Sequence, residues 1–178
     1  ATCALRADIF HHVGRFDADY YILGEETDLA WRIWLSGKEV WYVPTAHSWH
    51  AFDTTLKATL THYTLERIHT YGCRNYLSLL TTNLGFWRLT LMLPCHLLVW
   101  ILSAVGFLCR GEGARAVAIS RGIGQYIYNL PHLLRRRGRT QGTRVLSDQA
   151  LWPLISHSPG WRYYWERITR YLKQGLHG

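Results

Sequence analysis

Between Gly14 and His50 the chain collects side chains that can move a proton or hold a cation. They are the carboxylates Asp17, Asp19, Glu25, Glu26 and Asp28 and the imidazoles His47 and His50. A carboxylate held at the start of a buried helix can take a proton from an acceptor hydroxyl. Acidic residues also occur in first turns for a purely structural reason, because the helix dipole favours negative charge there. The residue types alone therefore leave a chemical and a structural role open.

The order of residues in this segment resembles the signature of family 2 glycosyltransferases. Residues 14–32 read GRFDADYYILGEETDLAWR, which is similar to the family pattern GGFDExFFxYxEDxDLxxR. Gly37 matches the glycine after the motif helix, and residues 43–50, VPTAHSWH, are similar to VPxAxxxH. Arg74-Asn75 ahead of an apolar segment further resembles rhamnosyltransferase-type members. The pieces match in order and spacing together, over about the first 50 residues.

This resemblance implies an α/β fold, the C-terminal part of a GT-A domain that binds a nucleotide sugar, followed by an α-helical membrane-associated region. It implies inverting transfer by direct displacement at the anomeric carbon, with Glu26 as the general base. It groups Asp28 with Glu26 as catalytic and lets Asp28 and Arg32 order the base and its helix. The other site residues that it implies are the substrate-binding Glu25, Arg32 and Asp17 and the metal-side His50.

Each of these residues also has a structural interpretation. Glu26 can be a plain helix-start carboxylate, and Asp28 with Arg32 has the spacing of an i,i+4 ion pair. Asp17 has the character of a turn residue, and His50 that of a loop imidazole bonded to backbone. Two departures from the family pattern stand out: Glu26 replaces an Asp that is one methylene shorter, and Arg15 replaces a Gly.

The resemblance also implies partners that the site must meet. The intact enzyme is expected to use a nucleotide-sugar donor, a divalent metal (Mg²⁺ or Mn²⁺) on its diphosphate, and a lipid-linked or glycan acceptor. Asp17-Ala18-Asp19 has the letters of a metal-binding D-x-D, but it lies inside the motif and is not read as one. We therefore expect a C-terminal portion that is inactive alone. A non-catalytic membrane scaffold that retains a transferase remnant is the alternative.

The elements that must position these residues follow from the hydrophobic pattern. Residues 26–36 are apolar nearly all round after an acidic start and end at Gly37, which predicts a buried helix. Glu39–Pro44 is rich in aromatic and β-branched residues, which predicts a short strand. The catalytic part is thereby assigned to residues 1–53, and a helical linker to residues 54–88.

Residues 89–109 contain no charged side chain, and this uncharged run is long enough for a membrane span. Residues 116–134 form a weaker apolar stretch. Residues 89–134 are therefore predicted to be embedded in or associated with a membrane. A single span, a hairpin and a monotopic insertion stay open, with the last two preferred. A buried core helix is the soluble alternative.

The excess positive charge lies in the C-terminal part of the sequence. Residues 110–178 hold twelve Lys and Arg against three Asp and Glu, a net charge of +9, whereas the residues before them are nearly neutral. Residues 135–178 are therefore predicted to be a basic cytoplasmic tail, with an amphipathic helix over residues 158–176. The run of arginines from Arg135 to Arg139 suggests anionic headgroups. No nucleic-acid module surrounds it, so nucleic acid is not expected as a partner.

The four cysteines form no C-x-x-C pair and are expected to be ordinary reduced thiols. Together with the family resemblance, these features predict a location at the cytoplasmic face of the inner membrane of a bacterium.

Overall fold

The computed structural model describes residues 3–49 and 65–155, together with Arg162 and Glu166. In these residues the chain forms seven α-helices, one short 3-10 helix (Ala18–Tyr20) and no β-strand. The α-helices are α1 (Ala7–His12), α2 (Glu25–Leu35), α3 (Leu65–Asn83), α4 (Phe86–Cys109), α5 (Gly113–Tyr128), α6 (Leu130–Gly142) and α7 (Asp148–Ile155). The chain divides into two compact units, residues 1–148 and 149–178. His50 and nearly all of the amphipathic pattern at residues 158–176 lie outside the described residues.

The expected α/β GT-A fold is wrong, because the described part of the chain is helical. The predicted strand Glu39–Pro44 is irregular, and the side chains of Trp41 and Tyr42 are exposed. A strand needs a neighbour to pair its backbone N–H and C=O groups, and strand propensity mostly reflects packing on a half-buried surface. No described segment supplies either, so the aromatic and β-branched pattern does not become a strand. The sequence-based domain boundaries stay predictions.

Helix α2 confirms the helix predicted at residues 26–36. It begins after Gly24, whose φ of 94° lies in the left-handed region that glycine adopts without strain. Leu29 and Ile33 on its inner face are buried with Val13. Gly37, with a φ of 74°, ends it. Its acidic first turn therefore lies at the end of a helix that is packed along one side.

The main core is formed by α3, α4, α5 and α6. Its buried and partly buried apolar side chains are Cys73, Leu77, Leu93, Leu97, Trp100, Ala104, Phe107, Ala116, Ile119, Ile123, Tyr126, Leu130 and Leu133. Helices α3 and α5 approach closely at Gly122, where an added Cβ would lie 2.6 Å from the carbonyl oxygen of Thr70. Thr70 Oγ1 donates to the carbonyl oxygen of Ala118 (3.0 Å) at the same crossing. The absence of a side chain at Gly122 therefore sets the separation of the two helices.

Helix α4 is the one described helix that is long and apolar enough to cross a membrane. Its 24 residues correspond to about 36 Å of helix. Few of its residues are fully buried inside the protein, and it carries exposed aromatic residues at its start, Phe86 and Trp87. Aromatic residues at such positions are typical of a membrane–water boundary. The length and composition of α4 therefore indicate that the chain associates with a membrane.

Helix α6 closes the carboxyl end of α3. Arg137 Nη1 donates to the carbonyl oxygens of Thr81 and Leu84 (both 2.6 Å), and Gln141 Nε2 donates to that of Thr82 (3.0 Å). The last carbonyls of a helix have no partner inside the helix, so cations and amides there are stabilising. These contacts fix the carboxyl end of α3 to α6, and α4 begins directly after it, past Gly85.

Candidate functional site

The carboxylate of Asp28, in the first turn of α2, is the centre of a buried polar network. The residue is 0% exposed. Tyr20 Oη donates to its Oδ1 (3.2 Å), as does Asn83 Nδ2 (2.9 Å), and Arg32 Nε donates to its Oδ2 (2.8 Å). Arg136 Nη2 lies 3.9 Å from the same Oδ2. Four side chains from the 3-10 helix, α2, α3 and α6 therefore meet on one carboxylate.

Arg32 carries this network to the loop between α1 and the 3-10 helix. It donates to the carbonyl oxygen of Val13, and its Nη2 donates to that of Arg15 (2.7 Å). Gly14 and Arg15 both have positive φ, which turns these carbonyls toward α2. The i,i+4 pair expected from the sequence is formed, but it is buried and also anchors the glycine-containing loop to the helix.

Arg74 and Asn75 form the dipeptide that resembles the R-N of rhamnosyltransferase-type members. Their side chains bind the backbone of the segment before α2. Asn75 Nδ2 lies within donor distance of the carbonyl oxygens of Tyr20 (2.9 Å), Ile22 (2.7 Å) and Leu23 (2.8 Å). Arg74 Nη2 donates to the carbonyl oxygen of Asp19 (2.6 Å). Burial and the nearby Asp28 carboxylate raise the pKa of Tyr20, so its hydroxyl remains a donor. In this structure the dipeptide fixes the turn that leads into the acidic helix start.

The two glutamates of the acidic helix start differ in exposure. Glu26 is exposed, and its carboxylate is open to solvent at the first turn of α2. Glu25 is half-buried, and its Oε2 is buried without a hydrogen-bond partner among the described residues. The carboxylate of Glu26 is therefore accessible from solvent, whereas that of Asp28 lies beneath the surface.

Asp17 has the turn role that its sequence context suggests and a second contact. Its Oδ1 accepts the backbone N–H of Asp19 (2.9 Å) at the start of the 3-10 helix. Its Oδ2 lies 2.5 Å from Arg136 Nε. Asp19 pairs with His132 (2.9 Å). Both carboxylates of the D-x-D-like run therefore pair with side chains of α6, one with an arginine and one with a histidine.

A cleft of about 700 Å³ opens between the loop at residues 12–19 and α6. Its ionisable lining residues are His12, Asp17, Asp19, Arg32, His132, Arg136 and Arg139. Asp17 and Arg32, two of the residues predicted to bind substrate, thus lie together at one cleft. Glu25, Glu26 and Asp28 are not part of its lining.

The described side chains do not form a metal site. No three His, Cys, Asp or Glu residues come together in the part of the chain that the structure describes. His50, the residue predicted on the metal side, lies outside that part. The divalent ion therefore stays a prediction.

Sequence reasoning missed three members of the network: Tyr20, Asn83 and Arg136. Asn83 is 55 positions from Asp28 along the chain, and no periodicity links such distant positions. Arg136 belongs to the arginine run that suggested headgroup contacts, yet it is buried. A buried polar side chain needs a partner, but the sequence did not indicate that these three are buried.

Comparison with known proteins adds no relative: no family model, no curated protein and no solved structure matches this chain.

Proposed function

We propose that this chain is the C-terminal portion of a membrane-associated inverting glycosyltransferase, with Glu26 as the general base. The observation that carries the proposal is the anchoring of the acidic helix start by the Asp28 network, which leaves the carboxylate of Glu26 exposed on a fixed helix. In the reaction, an acceptor hydroxyl oxygen attacks the anomeric carbon as the bond to the nucleoside diphosphate breaks. The proton of the acceptor hydroxyl passes to the carboxylate of Glu26.

The remaining residues of the motif act by positioning. Asp28 is fully buried, so it serves the reaction through the orientation of α2 and not by contact with substrate. Arg32 and Asp17 face the cleft and are suited to hold polar groups of a substrate. Positioning of this kind matters because small displacements of a catalytic group lower the rate strongly.

Membrane association supports a lipid-linked or glycan acceptor. Helix α4 belongs to the same compact unit as α2, so a membrane that receives α4 also fixes the acidic helix start relative to the lipid. The cytoplasmic face of the inner membrane of a bacterium is the proposed place, because nucleotide sugars are made in the cytoplasm.

The test is Glu26→Gln in the full-length protein in its membrane, assayed with a panel of radiolabelled uridine, thymidine and guanosine diphosphate sugars. We expect transfer to fall about 10²–10⁴-fold, the usual contribution of general-base catalysis, with donor binding unchanged. Glu39→Gln makes the same chemical change at an exposed glutamate outside α2 and is expected to keep full transfer.

Retained transfer in Glu26→Gln would remove Glu26 as the base. A wild-type protein that binds none of the nucleotide sugars and transfers none would instead support the alternative, a membrane scaffold that retains a transferase remnant.

A further inference from the structure

We propose that α4 lies in the plane of one membrane leaflet and does not span the bilayer, so that both of its ends stay on the same side. The proposal rests on the membrane association within the proposed function, and it is independent of transferase activity.

One face of α4 is packed against protein along most of the helix. Leu93, Leu97, Trp100, Ala104 and Phe107 recur every three or four residues and lie in the main core. Such a stripe is the core-facing side of an amphipathic helix. Protein therefore covers this face in part, and most fully at Ala104 and Phe107.

The opposite face exposes large apolar side chains that no residue in the described ranges covers. They are Leu91, Leu98, Val99, Ile101, Leu102, Val105 and Leu108, and Phe86 and Trp87 precede them at the helix start. An exposed apolar surface of this extent marks an interaction site. The helix is apolar all round because one face meets the core and the other is free to meet hydrocarbon.

Helix α3 runs beside α4 in the opposite direction. The ring of His69 lies 5.2 Å from that of Phe107, near the end of α4, and the ring of Tyr76 lies 5.1 Å from that of His96, near its middle. Helix α5 packs on the same side of α4. A membrane that α4 crossed would therefore have to contain α3 and α5 as well.

Those two helices carry charges that hydrocarbon does not accept. Helix α3 bears Glu66, Arg67 and Arg74, and α5 bears Arg115 and the exposed Arg121. Charged side chains in the hydrocarbon core are costly unless they face a protein interior or water. An in-plane helix avoids this cost, because it buries only its exposed apolar face and leaves α3 and α5 in water.

The ends of α4 match the charge of a lipid surface. Arg88 lies in its first turn, and Arg110 follows its last residue, while no charged residue lies between them. Anionic headgroups attract basic residues at the membrane surface. The occupant of the exposed face is therefore one leaflet that contains anionic lipid, and not a second copy of the chain.

Native cysteines report the topology directly. Cys3, Cys95 and Cys109 are exposed, and Cys73 is buried. Cys95 lies on the lipid-facing side of α4, one turn from Leu91, and Cys109 is the last residue of the helix. The experiment uses three variants that keep Cys73 and only one exposed cysteine, with Ala at the other two positions. Each is treated with a membrane-impermeant maleimide in intact bacterial cells and in inverted membrane vesicles.

We expect Cys3 and Cys109 to be labelled in inverted vesicles and in neither case in intact cells. We expect Cys95 to be unlabelled in both preparations and to become labelled once detergent removes the lipid. Labelling of Cys109 in intact cells would show that α4 spans the membrane and would overturn the proposal. A chain found in the soluble fraction, with Cys95 labelled or shielded by a second copy, would overturn it as well. Because labelling needs no activity, a wild-type protein that shows in-plane labelling but no transfer would overturn the transferase proposal and leave this one standing.

Discussion

Two buried guanidinium groups, those of Arg32 and Arg136, are balanced by two carboxylates, those of Asp28 and Asp17. The four charges sum to zero in a region where an unpaired charge is costly. Asp28 contacts both arginines, whereas Asp17 contacts only Arg136. The balance therefore depends mainly on Asp28.

Asp28→Asn is expected to destabilise the protein by about 3–5 kcal/mol, because it leaves two buried arginines with one carboxylate between them. The measurement is urea unfolding followed by circular dichroism. Asp8→Asn is the matched control, since Asp8 also pairs with an arginine but lies exposed on α1. An unchanged unfolding midpoint for Asp28→Asn would show that the network is not a source of stability.

The thiol of Cys73 lies in the core between α3 and α5, and burial raises its pKa to about 12. Since the thiolate is the reactive form, only about 10⁻⁴ of this thiol is ionised at pH 8, compared with a tenth or more of an ordinary exposed cysteine. We expect maleimide to modify Cys73 at least ~100-fold more slowly than Cys3 in the native protein. Intact-mass measurement over time checks this.

The same shift has a consequence for stability at high pH. Above about pH 9 the unfolded chain loses the thiol proton and the folded chain keeps it, so the folded state binds more protons and its stability falls as pH rises toward 12. Cys73→Ala removes this contribution. Equal labelling of Cys73 and Cys3 in the native state would contradict the burial on which both expectations rest.

At the scale of elements, the crossing of α3 and α5 depends on one glycine. A Cβ at Gly122 would meet a backbone oxygen at 2.6 Å and the Cβ of Cys73 at 3.0 Å, and backbone cannot turn aside as a flexible side chain can. Gly124, two positions later on the same helix, has no heavy atom within 4 Å of the place where its Cβ would be. The two glycines therefore differ in packing and share the same helix.

Gly122→Ala is expected to lower stability by about 1–3 kcal/mol, because the helices must separate to admit the methyl group. Gly124→Ala is expected to raise it by about 0.5–1 kcal/mol, since alanine is the better helix former. Urea unfolding of both variants checks the pair. Equal effects would mean that helix propensity, and not the close crossing, governs both positions.

The exposed face of α4 has its own matched pair. Leu98 on α4 is 54% exposed and Leu134 on α6 is 53% exposed, so a glutamate at either position costs little packing in the folded chain. Leu98→Glu is expected to move the protein from the membrane pellet to the soluble fraction, because the new charge would enter the leaflet. Leu134→Glu is expected to leave most of the protein in the membrane pellet, because the apolar face of α4 stays intact. Release by both variants would place lipid contacts beyond α4.

The sequence predicted elements unevenly. Helix α2 and the length of α4 followed from their own residues, since apolar periodicity, an acidic first turn and a terminal glycine are local signals. The strand at Glu39–Pro44 was predicted on equally local signals and is absent, because a strand is completed by a partner that its own residues do not encode. At the site, the Asp28–Arg32 spacing was readable, but Tyr20, Asn83 and Arg136 reach Asp28 only through the packing of other helices.

At the scale of the whole molecule, the excess positive charge is partly used inside the protein. Arg136 pairs with Asp17, Arg137 binds the end of α3, and Arg144 pairs with Asp148. Net charge counts these arginines as if they faced solvent, and for that reason the sequence overstated the basic surface. Arg135 and Arg139, one turn apart on α6, are the exposed members of the arginine run.

Membrane binding should therefore have a salt-sensitive and a salt-insensitive part. On vesicles that contain anionic lipid, we expect binding to weaken as salt rises from about 0.1 to 1 M, because the Debye length shrinks from ~10 Å to ~3 Å. On neutral vesicles, binding depends on the apolar face of α4 and is expected to stay constant over that range.

A basic residue near an anionic surface contributes about 1 kcal/mol, so Arg135→Gln and Arg139→Gln should each weaken anionic-vesicle binding about fivefold at low salt. Flotation assays with the full chain measure both parts. Arg6→Gln, at the residue before α1, is the control. Binding to neutral vesicles that disappears at high salt would assign the attachment to the arginines and remove α4 from it.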